Sequence, residues 1–309
     1  MYNVMKKPVS FHIFNRPDLT KRVFDQICIY KPEQLFVVAD GPRANHPEDA
    51  QNCKATRAII DHVDWKCEVK KNYSDLNMGS YNRNFSGLSW LFDNVDEAII
   101  LEDDCLPHST FFLYCEELLS RYRDDTRISV ISGDNFLSRT PDARYSYSFS
   151  RNVLTWGWAS WRRTWKLIDP EMKSWPEFRK TGFHNALQDY RMRSYWDRIF
   201  QAIYEGKRKP AWDYQLMLTC YMQNMLSIIP NVNLVSNIGF GSLGTNCVNP
   251  NAPGANLSTY PIRLPLNHPP YVTPDFDADR QLHINLYDIP FAIRVYRRIL
   301  WKIRSSRYT

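Results

Sequence analysis

The stretch Glu97-Ala98-Ile99-Ile100-Leu101-Glu102-Asp103-Asp104 joins a short apolar strand directly to three consecutive acids. A run of this kind, bounded by charge and lacking polar alternation, suits a strand buried on both faces of a parallel sheet. Adjacent carboxylates repel, so three of them after a buried strand cost stability unless water or a cation compensates them. A solvated turn is the plain reading of such a triplet. At a strand end, however, its hard oxygens can also face a pyrophosphate, with a small divalent ion completing its shell from phosphate oxygens and water. That arrangement stabilises a departing nucleotide diphosphate without a proton donor, which suits transfer of a sugar from a nucleotide-diphosphate donor.

Outward from this stretch, strands and helices alternate. Residues 8–14 read as a buried strand, and Pro17 opens a helix-like segment, 18–30, with Leu19, Val23, Phe24 and Ile27 on one side. A second strand, 34–40, stops at Asp40-Gly41-Pro42, and a polar helix-like stretch runs over 48–62. Residues 65–71 suggest a third strand. Helical spacing follows over 78–92, then the strand at 97–101, a helix over 109–122 and a strand at 127–132. This alternation predicts an α/β fold with a doubly wound, mostly parallel sheet and helices on both faces. Ligands of such sheets bind beyond the carboxyl ends of the strands, where strand order reverses. Asn15-Arg16, Asp40-Gly41 and Glu102-Asp103-Asp104 all fall at those ends.

The second half has a different texture. Residues 155–165 are crowded with tryptophan, 185–205 and 213–224 are helical in pattern, and 226–235 reads as a strand. Beyond Ser236 the chain is rich in Gly, Asn and Pro. The expected organisation is a nucleotide-sugar-binding α/β subdomain over 1–135 and an acceptor-side subdomain over 136–250 sharing its core. An irregular segment with a basic C-terminal helix follows over 251–309.

Bulk composition excludes several classes. No stretch approaches the ~20 apolar residues of a membrane span, and the N-terminus reads as no signal peptide. The seven cysteines are scattered without Cys-x-x-Cys spacing, against a disulfide framework or a structural zinc site and in favour of a reducing cytoplasm. The net charge of +6 equals the six cations Arg294, Arg297, Arg298, Lys302, Arg304 and Arg307 of the last nineteen residues. The remainder is balanced, so nucleic acid is not an expected partner. Over 291–303 those cations oppose Phe291, Ala292, Val295, Ile299 and Ile303, an amphipathic pattern. Such a helix either docks on the domain or lies on an anionic membrane surface, peripheral to the inner face of the cytoplasmic membrane.

The run Ile99 to Pro107, followed by Phe111-Phe112, resembles the metal-binding segment of the N-acetylglucosaminyltransferase I type of inverting, GT-A glycosyltransferase and of related bacterial polysaccharide enzymes. The likeness extends over roughly 8–241. It implies that Asp104 coordinates Mn2+ (or Mg2+), while Glu102 and Asp103 contact the donor's sugar and ribose. Phe14-Asn15-Arg16 matches the family's first strand end, implying that Arg16 contacts the nucleotide. Val37-Val38-Ala39-Asp40-Gly41 matches the second, implying that Asp40 reads the uracil. Arg83 stands where the family places a basic group near the diphosphate.

An inverting transfer needs a general base for the acceptor hydroxyl. Trp212-Asp213-Tyr214-Gln215 resembles the family's base-bearing stretch, which implies Asp213, although an Asp there also suits a helix cap and Tyr214 replaces a second acid. Thr155-Trp156-Gly157-Trp158 resembles a stretch ahead of the base, making Trp156 and Trp158 candidate sugar platforms; Trp161 and Trp165 read as packing. The segment 237–246 resembles a loop closing over the nucleotide, with Thr245 offered to the pyrophosphate. The resemblance thus implies a UDP-sugar donor and a glycan or lipid-linked acceptor. A sugar nucleotidyltransferase is disfavoured because Phe11-His12-Ile13-Phe14-Asn15-Arg16 lacks a glycine. A non-catalytic nucleotide- or glycan-binding module is the remaining alternative.

Overall fold

A computed structural model describes residues 6–137, 144–241 and 254–287. Thr245 and the basic segment 291–309 lie outside the described residues. The first half alternates regularly: β1 (Val9–Ile13), α1 (Pro17–Tyr30), β2 (Gln34–Ala39), α2 (Asp49–Ala58) continued by a 3-10 turn (Ile59–His62), β3 (Glu68–Tyr73), α3 (Gly79–Asn94) and β4 (Glu97–Glu102). A short β5 (Cys105–Pro107), α4 (Thr110–Arg121) and β6 (Ile128–Ser132) follow. The second half contributes β7 (Tyr147–Ser150), β8 (Trp158–Trp161), α5 (Arg162–Trp165), α6 (Trp175–Thr181), α7 (Phe183–Ala186), α8 (Tyr190–Tyr204), α9 (Trp212–Met222), β9 (Leu226–Pro230), β10 (Val235–Asn237) and α10 (Phe276–Leu286).

Eight strands form one sheet in the order β3-β2-β1-β4-β8-β6-β9-β7. Six of them run parallel, as the alternation predicts; β8 and β7 are the antiparallel members. Both come from the half in which the strand–helix alternation breaks down, and neither was legible as a strand in the sequence. The fully buried run of β1 and the nearly buried runs of β2 and β4 occupy the middle of the parallel part, where both faces are covered by helices. Side chains along each strand divide by face: Val37, Ile99, Leu101 and Ile131 join α1 and α4 in one cluster, while Phe36, Ala98, Ile100 and Val130 join α3, α8 and α9 in the other.

The chain steps from β1 outward to β2 and β3, then returns to place β4 on the other side of β1. Order therefore reverses between β1 and β4, and the loops leaving these two strands diverge around a crevice. Arg16 is in one loop and the acid run is in the other. A two-stranded ribbon pairs β5 with β10 through Cys105 opposite Asn237 and Pro107 opposite Val235. It folds residues 238–241 back over the acids. Among the described residues, no helix is long and apolar enough to cross a membrane.

Candidate active site

Arg16 precedes Pro17, the first residue of α1, and a residue before proline is kept out of the helical region, so its side chain leaves the strand end from non-helical backbone (φ −121°, ψ 73°). Its guanidinium bridges two of the acids: Nη1 lies 2.9 Å from Asp104 Oδ2, and Nη2 donates to Asp103 Oδ1. Asp103 also accepts the Phe14 N–H at 3.1 Å. Burial alone would lower the Arg16 pKa, but the neighbouring Asp103 and Asp104 hold it above the ordinary arginine value. For Asp103 burial raises the pKa and Arg16 only partly offsets it. Burial, then Asp104 and Asp103, push half-buried Glu102 upward as well.

Gly239 lies directly on this pair. A Cβ there would stand 2.2 Å from Asp104 Oδ2 and 2.7 Å from Arg16 Nη1, so only glycine allows the 238–241 backbone this approach. The Ile238 N–H donates to the Asp104 carbonyl at 2.8 Å and fixes the contact.

Asp213 lies within the first turn of α9. Ala211 is the helix cap and offers no side-chain bond. Burial lifts its pKa to about 6, opposed by its own and the Tyr214 backbone N–H groups. Its charge is among those that raise Glu102, so the two carboxylates share one electrostatic environment. Tyr214, where the resemblance anticipates an acid, packs edge-on against Trp196.

At three further expected site residues the structure shows the following contacts. Asp40, expected to read a nucleobase, accepts four hydrogen bonds: Oδ1 takes the N–H groups of Gly41 (2.9 Å) and Met78 (2.8 Å), and Oδ2 takes Gly79 N–H and Asn77 Nδ2 (both 3.1 Å). It organises the turn that opens α3. Arg83, expected near the diphosphate, is buried and donates to the Ala39 carbonyl (3.1 Å), to Asn72 Oδ1 (2.8 Å) and to the Asn72 carbonyl. It ties β2 to β3, with burial lowering its pKa. Trp158, a candidate sugar platform, is 1% exposed and stacks on Trp212 with ring centroids 5.5 Å apart. Trp156 is half-buried, edge-on to Phe136 and to Phe240 of the segment over the acids.

Replacing Asp40 with Ala would leave several backbone donors without a partner. At about 1–3 kcal/mol for each buried unsatisfied group, Asp40→Ala is expected to lower unfolding stability by at least ~2 kcal/mol, with Asp40→Asn closer to wild type. Denaturant midpoints measure this; equal midpoints for all three proteins would refute the organising role.

Sequence reasoning missed Arg57, which donates to the carbonyls of Asp40 (3.0 Å) and Ser74 (2.6 Å) beside a cavity of about 450 Å3 lined by Pro42, Lys54, Lys71 and Tyr73. Position on a polar helix gave no signal for it. Asp134 was also missed: it lies two residues beyond β6, 1% exposed, and burial raises its pKa well above the usual range.

Among the described residues, no group of three or more His, Cys, Asp or Glu forms a metal cage. The donor set fits another arrangement: one carboxylate, Asp104, just beyond the end of β4, for a cation that takes its other ligands from phosphate and water.

No protein-family model matches the chain, and no curated protein matches it. Several solved structures are similar. A mannosyltransferase from Pyrobaculum calidifontis, solved with GDP-Man and Mn2+, is 12% identical with a TM-score of 0.39, over 71% of this chain and 70% of that one. A 4-diphosphocytidyl-2C-methyl-D-erythritol synthase from Anaerococcus prevotii is 11% identical with a TM-score of 0.35, over 52% and 73%. A UDP-glucose pyrophosphorylase complexed with UDP-glucose is 11% identical with a TM-score of 0.31, over 53% and 79%. Likeness at this level carries no argument about chemistry.

Proposed function

We propose that this protein is a metal-dependent inverting glycosyltransferase that moves a sugar from a UDP-sugar to a hydroxyl of a glycan or lipid-linked acceptor. The observation that carries the reading is one juxtaposition: Arg16, Asp103 and Asp104 joined by ion pairs at the point where strand order reverses, with the Asp213 charge among those that raise Glu102.

In this reading Asp104 holds the cation, and Glu102 and Asp103 orient the sugar and ribose. A bound Mn2+ or Mg2+ supplies charge stabilisation to the leaving diphosphate. Arg16 adds a second positive group on the same phosphates, suited to two-pronged contact. Asp213 accepts the acceptor hydroxyl's proton as that oxygen bonds to the anomeric carbon and the bond from that carbon to the diphosphate oxygen breaks. Trp156 walls the crevice, and the 238–241 backbone excludes water above the acids. Asp40 and Arg83 serve as supports for the nucleotide end of the sheet, while Trp158 serves as core.

Purified protein incubated with a panel of UDP-sugars is expected to release UDP only when Mn2+ or Mg2+ is present. Tight binding without release would favour a non-catalytic module. Release of pyrophosphate from a nucleoside triphosphate and a sugar phosphate would favour a nucleotidyltransferase.

A further inference from the structure

We propose that Arg16 is a resident cation that occupies the metal-binding carboxylate until a diphosphate draws it away, so that nucleotide is required for tight metal loading. This rests on the assignment of Asp104 as metal ligand made above. The guanidinium spans Asp103 and Asp104, with Nη1 2.9 Å from Asp104 Oδ2. The same oxygen lies under Gly239, which closes the approach from above.

A divalent ion entering alone competes with Arg16 for Asp104 Oδ2. It must also sit beside a guanidinium that remains paired to Asp103, a like-charge contact in a poorly solvated place. Little is gained, because Arg16 gives up one of its two carboxylate partners and keeps only Asp103.

A diphosphate changes both sides of the exchange. It provides planar, two-pronged anion recognition for Arg16 and supplies the cation with the oxygen ligands the protein lacks. The sequence supports the motion required. Backbone at Arg16 is fixed by Pro17 and by its carbonyl accepting Thr20 N–H at 2.9 Å, so only the side chain needs to swing. By linkage, the factor by which nucleotide tightens metal binding equals the factor by which metal tightens nucleotide binding.

The test is Mn2+ binding without nucleotide, followed by the electron paramagnetic resonance signal of free Mn2+. Wild type is expected to bind weakly and Arg16→Gln at least ~5-fold more tightly, within the usual range of coupling between sites. Arg16→Lys is expected to fall between them, because one ammonium cannot span two carboxylates as a guanidinium does; it also serves if Arg16→Gln fails to fold. The proposal is overturned if folded Arg16→Gln or Arg16→Lys, with a wild-type melting profile, binds Mn2+ no better than wild type. The double variant Arg16→Gln/Asp104→Asn separates the layers. If it loses the Mn2+ bound by Arg16→Gln, Asp104 stands as the ligand. If it binds Mn2+ as tightly as Arg16→Gln, the metal assignment itself fails, and this proposal with it.

Discussion

Asp213→Asn is expected to reduce sugar transfer by about 10²- to 10⁴-fold, the usual contribution of a positioned general base, while UDP and Mn2+ still bind. The expectation follows from the position of Asp213 in the first turn of α9, with Glu102 as an electrostatic neighbour. An amide has nearly the same shape but cannot take the acceptor proton. The wild-type rate should rise with pH through about 6, the value to which burial lifts Asp213, because only the ionised form is a base. That limb should vanish in the variant.

Stability provides the control. A carboxyl whose folded pKa is raised above its unfolded value favours the fold while protonated, and that advantage is lost as pH rises from about 4 through 6. Above pH 6 the ionised group weighs against the fold, so Asp213→Asn should melt no lower than wild type there. Ordinary transfer rates in the folded variant would remove Asp213 from the mechanism.

Asp104→Asn is expected to lower turnover by about 10²- to 10³-fold, comparable to losing one preorganised electrostatic contact to the leaving group. Its response to Mn2+ concentration should flatten. No neighbouring carboxylate is free to substitute: Asp103 is held by Arg16 and by the Phe14 N–H, and Glu102 is pushed toward its neutral form. Asp103→Asn should instead show its main effect in thermal stability, since it removes the most buried partner of Arg16. An Asp104→Asn enzyme with an unchanged Mn2+ titration of activity would place the cation elsewhere.

The sequence alone determined the parallel half of the sheet and the location of the crevice. Apolar runs such as Ile99-Ile100-Leu101 and the placement of Pro17 are local features, and they register in the sequence because burial and helix initiation act over a few residues. The acid run and Arg16 were legible for the same reason, each being the residue at which a buried strand meets solvent. The tertiary structure alone decided what those ends do with their hydrogen bonds. Asp40 faces a turn 37 to 39 residues away and Arg83 faces strand carbonyls 11 and 44 residues away, so neither set of contacts is visible in a local pattern. Trp158 became core because β8 was inserted antiparallel between β4 and β6, and Gly239 reached Asp104 only because β10 pairs with β5. Such contacts depend on strand order, and strand order is set by how the whole apolar surface is shared among elements far apart in the chain.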